Sequence, residues 1–126
     1  MKKILIIDDD ADLREILKVV LGPLYQIREA GSGEEGERAA ASFVPDLIIL
    51  DVMMESITAG FDLARSLKSK PALKTCKILM TTNIDNELQI NYKAEAGDPD
   101  WLPVDDYVVK PVDPKEFAAK VSALLS

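Results

Sequence analysis

Two apolar runs, Ile4-Leu5-Ile6-Ile7 and Leu47-Ile48-Ile49-Leu50, are continuous where most strands alternate, and each ends in aspartate. A strand that is apolar at every position needs cover on both faces, which is the condition of a strand inside a parallel sheet. Two shorter runs repeat the theme: Ile78-Leu79-Met80 ends in Thr81-Thr82, and Tyr107-Val108-Val109 ends in Lys110-Pro111. Tyr25 to Ala30 is weaker and alternating, the pattern of an edge strand.

Between these strands the period becomes helical. Leu13, Ile16, Leu17, Val20 and Leu21 fall at the i, i+3, i+4, i+7, i+8 positions of one buried face, with Asp10 as cap and Gly22-Pro23 as stop. Ser32 with Glu35, and Asp113-Pro114 with Glu116, mark two further helix starts, the second carrying Phe117, Val121 and Leu124 as its inner stripe. A third helix is expected over Phe61 to Lys68 and a fourth over about Asn86 to Ala96, where Ile84, Leu88, Tyr92 and Ala96 recur. Five strands alternating with five helices predict a doubly wound, flavodoxin-like α/β fold: a five-stranded parallel sheet in the order 2-1-3-4-5 with helices on both faces. In that order the switch point lies between strands one and three, and ligands gather there at the carboxyl ends of the strands.

The 126 residues make one domain, expected to run from 1 to 126. Its longest apolar runs are far short of the roughly 20 residues of a membrane span, and Ile4 to Ile7 is too short for the core of a signal peptide, so a cytoplasmic location is expected. A net charge of −7 disfavours nucleic acid and anionic lipid as direct partners. With no histidine and one cysteine, the chain offers neither a common zinc cluster nor a histidine-based triad. Cys76 reads as a small apolar or loop residue. Chemistry must therefore rest on carboxylates, hydroxyls and lysine.

Asp8, Asp9, Asp51, Thr82 and Lys110 all stand at or near the carboxyl end of a predicted strand, so one sheet edge collects them. Three carboxylates drawn together repel one another unless a cation neutralises them, and an all-oxygen set suits a hard ion such as Mg²⁺. A lysine and a hydroxyl opposite such an ion would complete the requirements of a transferring phosphoryl group, whose oxygens carry spread negative charge. The nucleophile is then a carboxylate. Asp51 stands alone at the end of a central strand, whereas Asp8 and Asp9 form a pair suited to metal.

At this point the sequence resembles the receiver domains of two-component response regulators, over its whole length. The residues that carry the resemblance are Asp8-Asp9, Asp51-Val52-Met53-Met54, Thr82 and Lys110-Pro111, each after its strand and in the family's order. The resemblance implies that Asp51 is the phosphoacceptor and that Asp8, Asp9 and the backbone carbonyl of Met53 serve the magnesium ion. It implies that Thr82 and Lys110 contact the phosphoryl oxygens and that Tyr107 is an aromatic switch working with Thr82; the Lys110-Pro111 bond is often cis in this family, a state largely confined to X-Pro bonds.

The sequence also departs from the family. Glu55 stands where proline is usual, Gly60 arrives late, and Asn83 replaces a small residue beside the expected phosphorylation pocket. The connection Asp98 to Val104, with Trp101, is longer than usual. The reading is of a receiver that takes a phosphoryl group from a histidine kinase or phosphotransfer protein and signals by conformational change. It would assist its own Mg²⁺-dependent phosphorylation and dephosphorylation without being an enzyme in the ordinary sense. Output is expected through a downstream protein partner or by passing the phosphoryl group onward, with no output domain expected after Ser126. Two rivals stand beside it: a flavodoxin-like small-molecule binder, against which Asp8-Asp9-Asp10 would repel a phosphate, and a degenerate receiver acting as a phosphorylation-independent interaction module.

Overall fold

The computed structural model describes residues 1–51, 57–82, 104–109 and 113–125. Within them lie strands β1 (Lys3–Ile7), β2 (Gln26–Ala30), β3 (Leu47–Asp51), β4 (Lys77–Thr82) and β5 (Asp106–Val109). The helices are α1 (Ala11–Leu21), α2 (Gly33–Phe43), α3 (Ile57–Ser69) and α4 (Pro114–Leu125), with a short 3₁₀ turn at Pro71–Leu73. All strand pairs are parallel and the order is β2-β1-β3-β4-β5, as the sequence pattern predicts. The predicted helix over about 86–96 and the connection with Trp101 lie outside the described residues.

Two apolar layers explain the continuous runs. Ile7, Leu50 and Met80 join Ala40 and Phe43 of α2 and Leu63, Ala64 and Leu67 of α3 on one face. Ile6, Ile49, Leu79 and Val108 join Leu17 and Leu21 of α1 and Phe117 and Val121 of α4 on the other. Every residue of β3 is buried, as are Ile4 to Ile7 of β1. β2, at the edge, alternates between exposed and partly covered positions before closing on buried Ala30.

Helix ends follow local chemistry. The Asp10 carboxylate accepts from the N–H groups of Asp12 (3.0 Å) and Leu13 (3.2 Å), and the Ser32 hydroxyl accepts from Glu35 N–H (3.2 Å). α1 stops before Gly22, whose backbone is right-handed and where a Cβ would lie 2.5 Å from the Lys18 carbonyl oxygen. The stop comes from Pro23, which brings no N–H to continue the helix. Gly36 is a second close approach. A Cβ there would lie 2.6 Å from Cδ1 of buried Ile7, so its missing side chain lets α2 settle onto β1.

Some boundaries differ from the sequence pattern. α3 begins at Ile57 and not near Phe61, β4 runs on through both threonines, and β5 starts one residue early at Asp106. The entry to β5 is clamped by Asp105. Its N–H donates to the Ile78 carbonyl (2.8 Å), and its carboxylate accepts from the Ile78 N–H (2.8 Å) and pairs with Lys68 (3.4 Å). Cys76 lies buried in the layer under α2 and α3, and burial pushes its thiol up to about 12, so it is an inert core residue.

Val44 caps α2 with φ 48°, the left-handed region that costs an L-residue roughly 1–2 kcal/mol. Because Val44 is 39% exposed, its side chain returns little through burial. Val44→Gly is expected to raise stability by about 1 kcal/mol in urea denaturation, the usual advantage of glycine at such a cap. Gly36→Ala, by contrast, should lower it, because the added methyl meets Ile7.

Candidate functional site

Strands β1 and β3 are neighbours in register, Ile7 opposite Leu50, so the residues that end them arrive side by side. Asp51 is the last residue of β3 and Asp8 follows β1. Both are buried, 3% and 1% exposed, while Asp9 next to them is exposed. The three offer carboxylate oxygens that all lie within 4.8 Å of one another, at the switch point of the sheet. This is a donor set of oxygen only, tight enough to share one hard cation and partly open to water through Asp9.

The turn after β1 is held by several bonds. Asp8 N–H continues the ladder to the Ala30 carbonyl (3.1 Å), and its carboxylate accepts from Asp10 N–H (2.9 Å). The Arg14 guanidinium, one turn into α1, donates to the Asp8 carbonyl and pairs through Nε with Glu29 of β2 (2.8 Å). Lys18 meets the other oxygen of Glu29 at 2.6 Å. The hydrogen bond from Lys18, and then that from Arg14, hold the Glu29 carboxyl below its ordinary range. Arg14 was not among the residues the sequence pattern selects: no spacing rule ties a helical arginine to a carbonyl in the preceding turn.

The remaining predicted residues are distributed as follows. Thr82 ends β4 in register with Val109, next to the end of β5. Tyr107, half-buried on β5, stands opposite Met80 and packs against the layer under α2 and α3. Lys110, Met53, Glu55 and Asn83 lie outside the described residues.

A further polar residue emerges beside Asp51. Thr81 is directly opposite it on β4 and opposite Val108 on the other side. By the two-residue period of a strand, Thr81 shares the sheet face of Leu79, and Asp51 that of Ile49, which is the same α1/α4 face. Thr81 is 1% exposed and its hydroxyl oxygen has no hydrogen-bond partner among the described residues. A buried hydroxyl left unpaired costs about 1–3 kcal/mol. The sequence pattern treats Thr81 as the neighbour of Thr82; only the register sets it against Asp51.

Comparison with known proteins gives a consistent picture. The family model described as the response regulator receiver domain matches residues 4–122. The transcriptional regulatory protein ResD of Bacillus subtilis is 37% identical over 124 residues, covering 98% of this chain and 48% of ResD. The chain spans about half the length of the curated relatives it matches. Among solved structures, the signal receiver domain of a signal transduction histidine kinase from Syntrophus aciditrophicus superposes with a TM-score of 0.82 at 31% identity, covering 99% of this chain and 90% of that one. The chemotaxis response regulator CheY4 of Vibrio cholerae superposes at 0.80 with 27% identity, covering 99% of both chains.

The Glu29 contacts set a pH dependence of known sign. A carboxyl whose pKa is lowered by folding stabilises the fold above its unfolded value, near 4.5, and this contribution disappears as pH falls through the lower folded value. Glu29→Gln is expected to lower stability at pH 7 by at most about 1 kcal/mol, since the pair is partly solvated, and to flatten the loss of stability below pH 4.5. Chemical denaturation at a series of pH values checks both.

Proposed function

This chain belongs to the response regulator receiver domain family, and on that premise we propose that it accepts a phosphoryl group on Asp51 from a histidine kinase or phosphotransfer protein. The observation that carries the reading is the meeting of buried Asp51 with Asp8 and Asp9 within 4.8 Å at the sheet's switch point. An oxygen of the Asp51 carboxylate attacks phosphorus, a P–O bond forms, and the P–N bond of the donor breaks. Imidazole, protonated at its other nitrogen, leaves as a neutral base with the electron pair.

Asp8, Asp9 and Asp51 would hold Mg²⁺, with the Met53 carbonyl added by the family pattern; the all-oxygen donor set fits that ion. Bound there, Mg²⁺ supplies the positive charge that lets the carboxylates sit together and offsets the charge of the phosphoryl oxygens. Burial of Asp51 limits the approach of water to the acyl phosphate, and Arg14 keeps the Asp8 turn in place through its carbonyl. Thr82 and Lys110 are assigned to the phosphoryl oxygens. Tyr107, half-buried and packed on the α2/α3 layer, is assigned to the switch that carries the change to a downstream protein partner. The acidic balance argues against direct nucleic-acid contact by this domain.

Two outcomes are expected. Asp51→Asn replaces the nucleophile with an amide of the same shape, so kinase-driven phosphorylation, followed by mass spectrometry, should vanish while circular dichroism stays unchanged. Acid-stable labelling of that variant would point to a hydroxyl acceptor instead. Millimolar Mg²⁺ should raise the melting temperature of the wild type, with about 2.7 kcal/mol of added stability at 100 times Kd, and Asp9→Asn should diminish the response. An unmoved melting curve for the wild type would remove the metal from the reading.

A further inference from the structure

Thr81 is a polar residue in an apolar setting. On its face of β4 it follows Leu79, and Val108 stands beside it on β5. Valine would suit the same strand position with nearly the same outline, and it would leave no hydroxyl stranded. Among the described residues this oxygen has no partner in the unmodified protein, so the fold gains nothing from it. Its one distinguishing feature is position: it is in register with Asp51 on the next strand, and adjacent strands run about 4.8 Å apart. The Thr81 hydroxyl makes no hydrogen bond to the Asp51 carboxylate here, and a phosphoryl group added to that carboxylate brings new acceptor oxygens to this edge of the sheet.

We infer that the Thr81 hydroxyl is a donor held in reserve for the phosphorylated state, bonding an oxygen of the acyl phosphate on Asp51. The inference rests on the assignment of Asp51 as phosphoacceptor and adds a positioning residue to that site. A group unpaired before the modification and paired after it favours the modified form, because the cost carried by the unmodified state is relieved in the modified one. Thr81 thus shifts the balance between the two states in the direction of phosphorylation, independently of the Thr82 and Tyr107 switch.

Thr81→Val and Thr81→Ser separate this role from packing. Beryllium trifluoride with Mg²⁺, a tetrahedral stand-in for a phosphoryl group on a carboxylate, serves as the probe. Thr81→Val is expected to raise the melting temperature of the unmodified protein by about 4 °C and to weaken beryllium trifluoride binding roughly tenfold. Thr81→Ser should bind as the wild type does. The pairing of higher stability with weaker binding is the signature, since a purely structural residue would not move the two in opposite directions. Equal affinity of Thr81→Val and the wild type would overturn the inference, and so would a fall in melting temperature with weaker binding in both variants. Binding by the wild type with none by Asp51→Asn upholds the phosphoacceptor assignment whatever Thr81 does, whereas unimpaired binding by Asp51→Asn would remove that assignment and the inference with it.

Discussion

The structure depends on burying carboxylates that repel each other. Left in water, Asp8 and Asp51 would separate; here each is tied to the end of a strand whose residues are almost all buried, and those strands are hydrogen-bonded neighbours. Burying β1 and β3 between two helical layers supplies the driving force, at about 25 cal/mol for each Å² of apolar surface removed from water. The core beneath it thus holds the acidic cluster in place. A cation or a transferred phosphoryl group changes the local charge without requiring the sheet to move.

Much of this was legible in the residues alone. Continuous apolar runs at Ile4 and Leu47 specify strands buried on both faces, and their terminal aspartates specify which edge of the sheet carries the site. The cap at Asp10 and the start at Ser32 rest on side-chain chemistry that is local and therefore readable. Less legible was whatever depends on a neighbour. α3 starts at Ile57 through Gly60, a stretch in which Ala59 alone has a strong intrinsic preference for helix beside two β-branched residues and a glycine. The left-handed Val44 carries no glycine or asparagine to announce it. Thr81 looks like the polar end of a strand until its pairing with Asp51 shows the ladder continuing.

The two sheet faces have different duties. Asp51 and Thr81 share the face covered by α1 and α4, while Tyr107 packs toward α2 and α3. In the proposed function, a change at Asp51 would have to cross the plane of the sheet to reach Tyr107. β4 and β5 are the natural route, since Met80 and Thr81 are successive residues with opposite orientation, paired to Tyr107 and Val108 in turn.

The Asp105 clamp has an implication for how such a chain can vary. Joined to Ile78 by two backbone-directed bonds and to Lys68 by charge, Asp105 fixes where the chain re-enters the sheet, next to the start of β4. The cost of closing the intervening segment grows only with the logarithm of its length, so added residues are cheap once both anchor points are secure. The sequence that leads into Val104 can in consequence lengthen without disturbing the strand order. A common scaffold can in this way acquire different recognition properties by insertion at one place, leaving the chemistry at the opposite edge of the sheet intact.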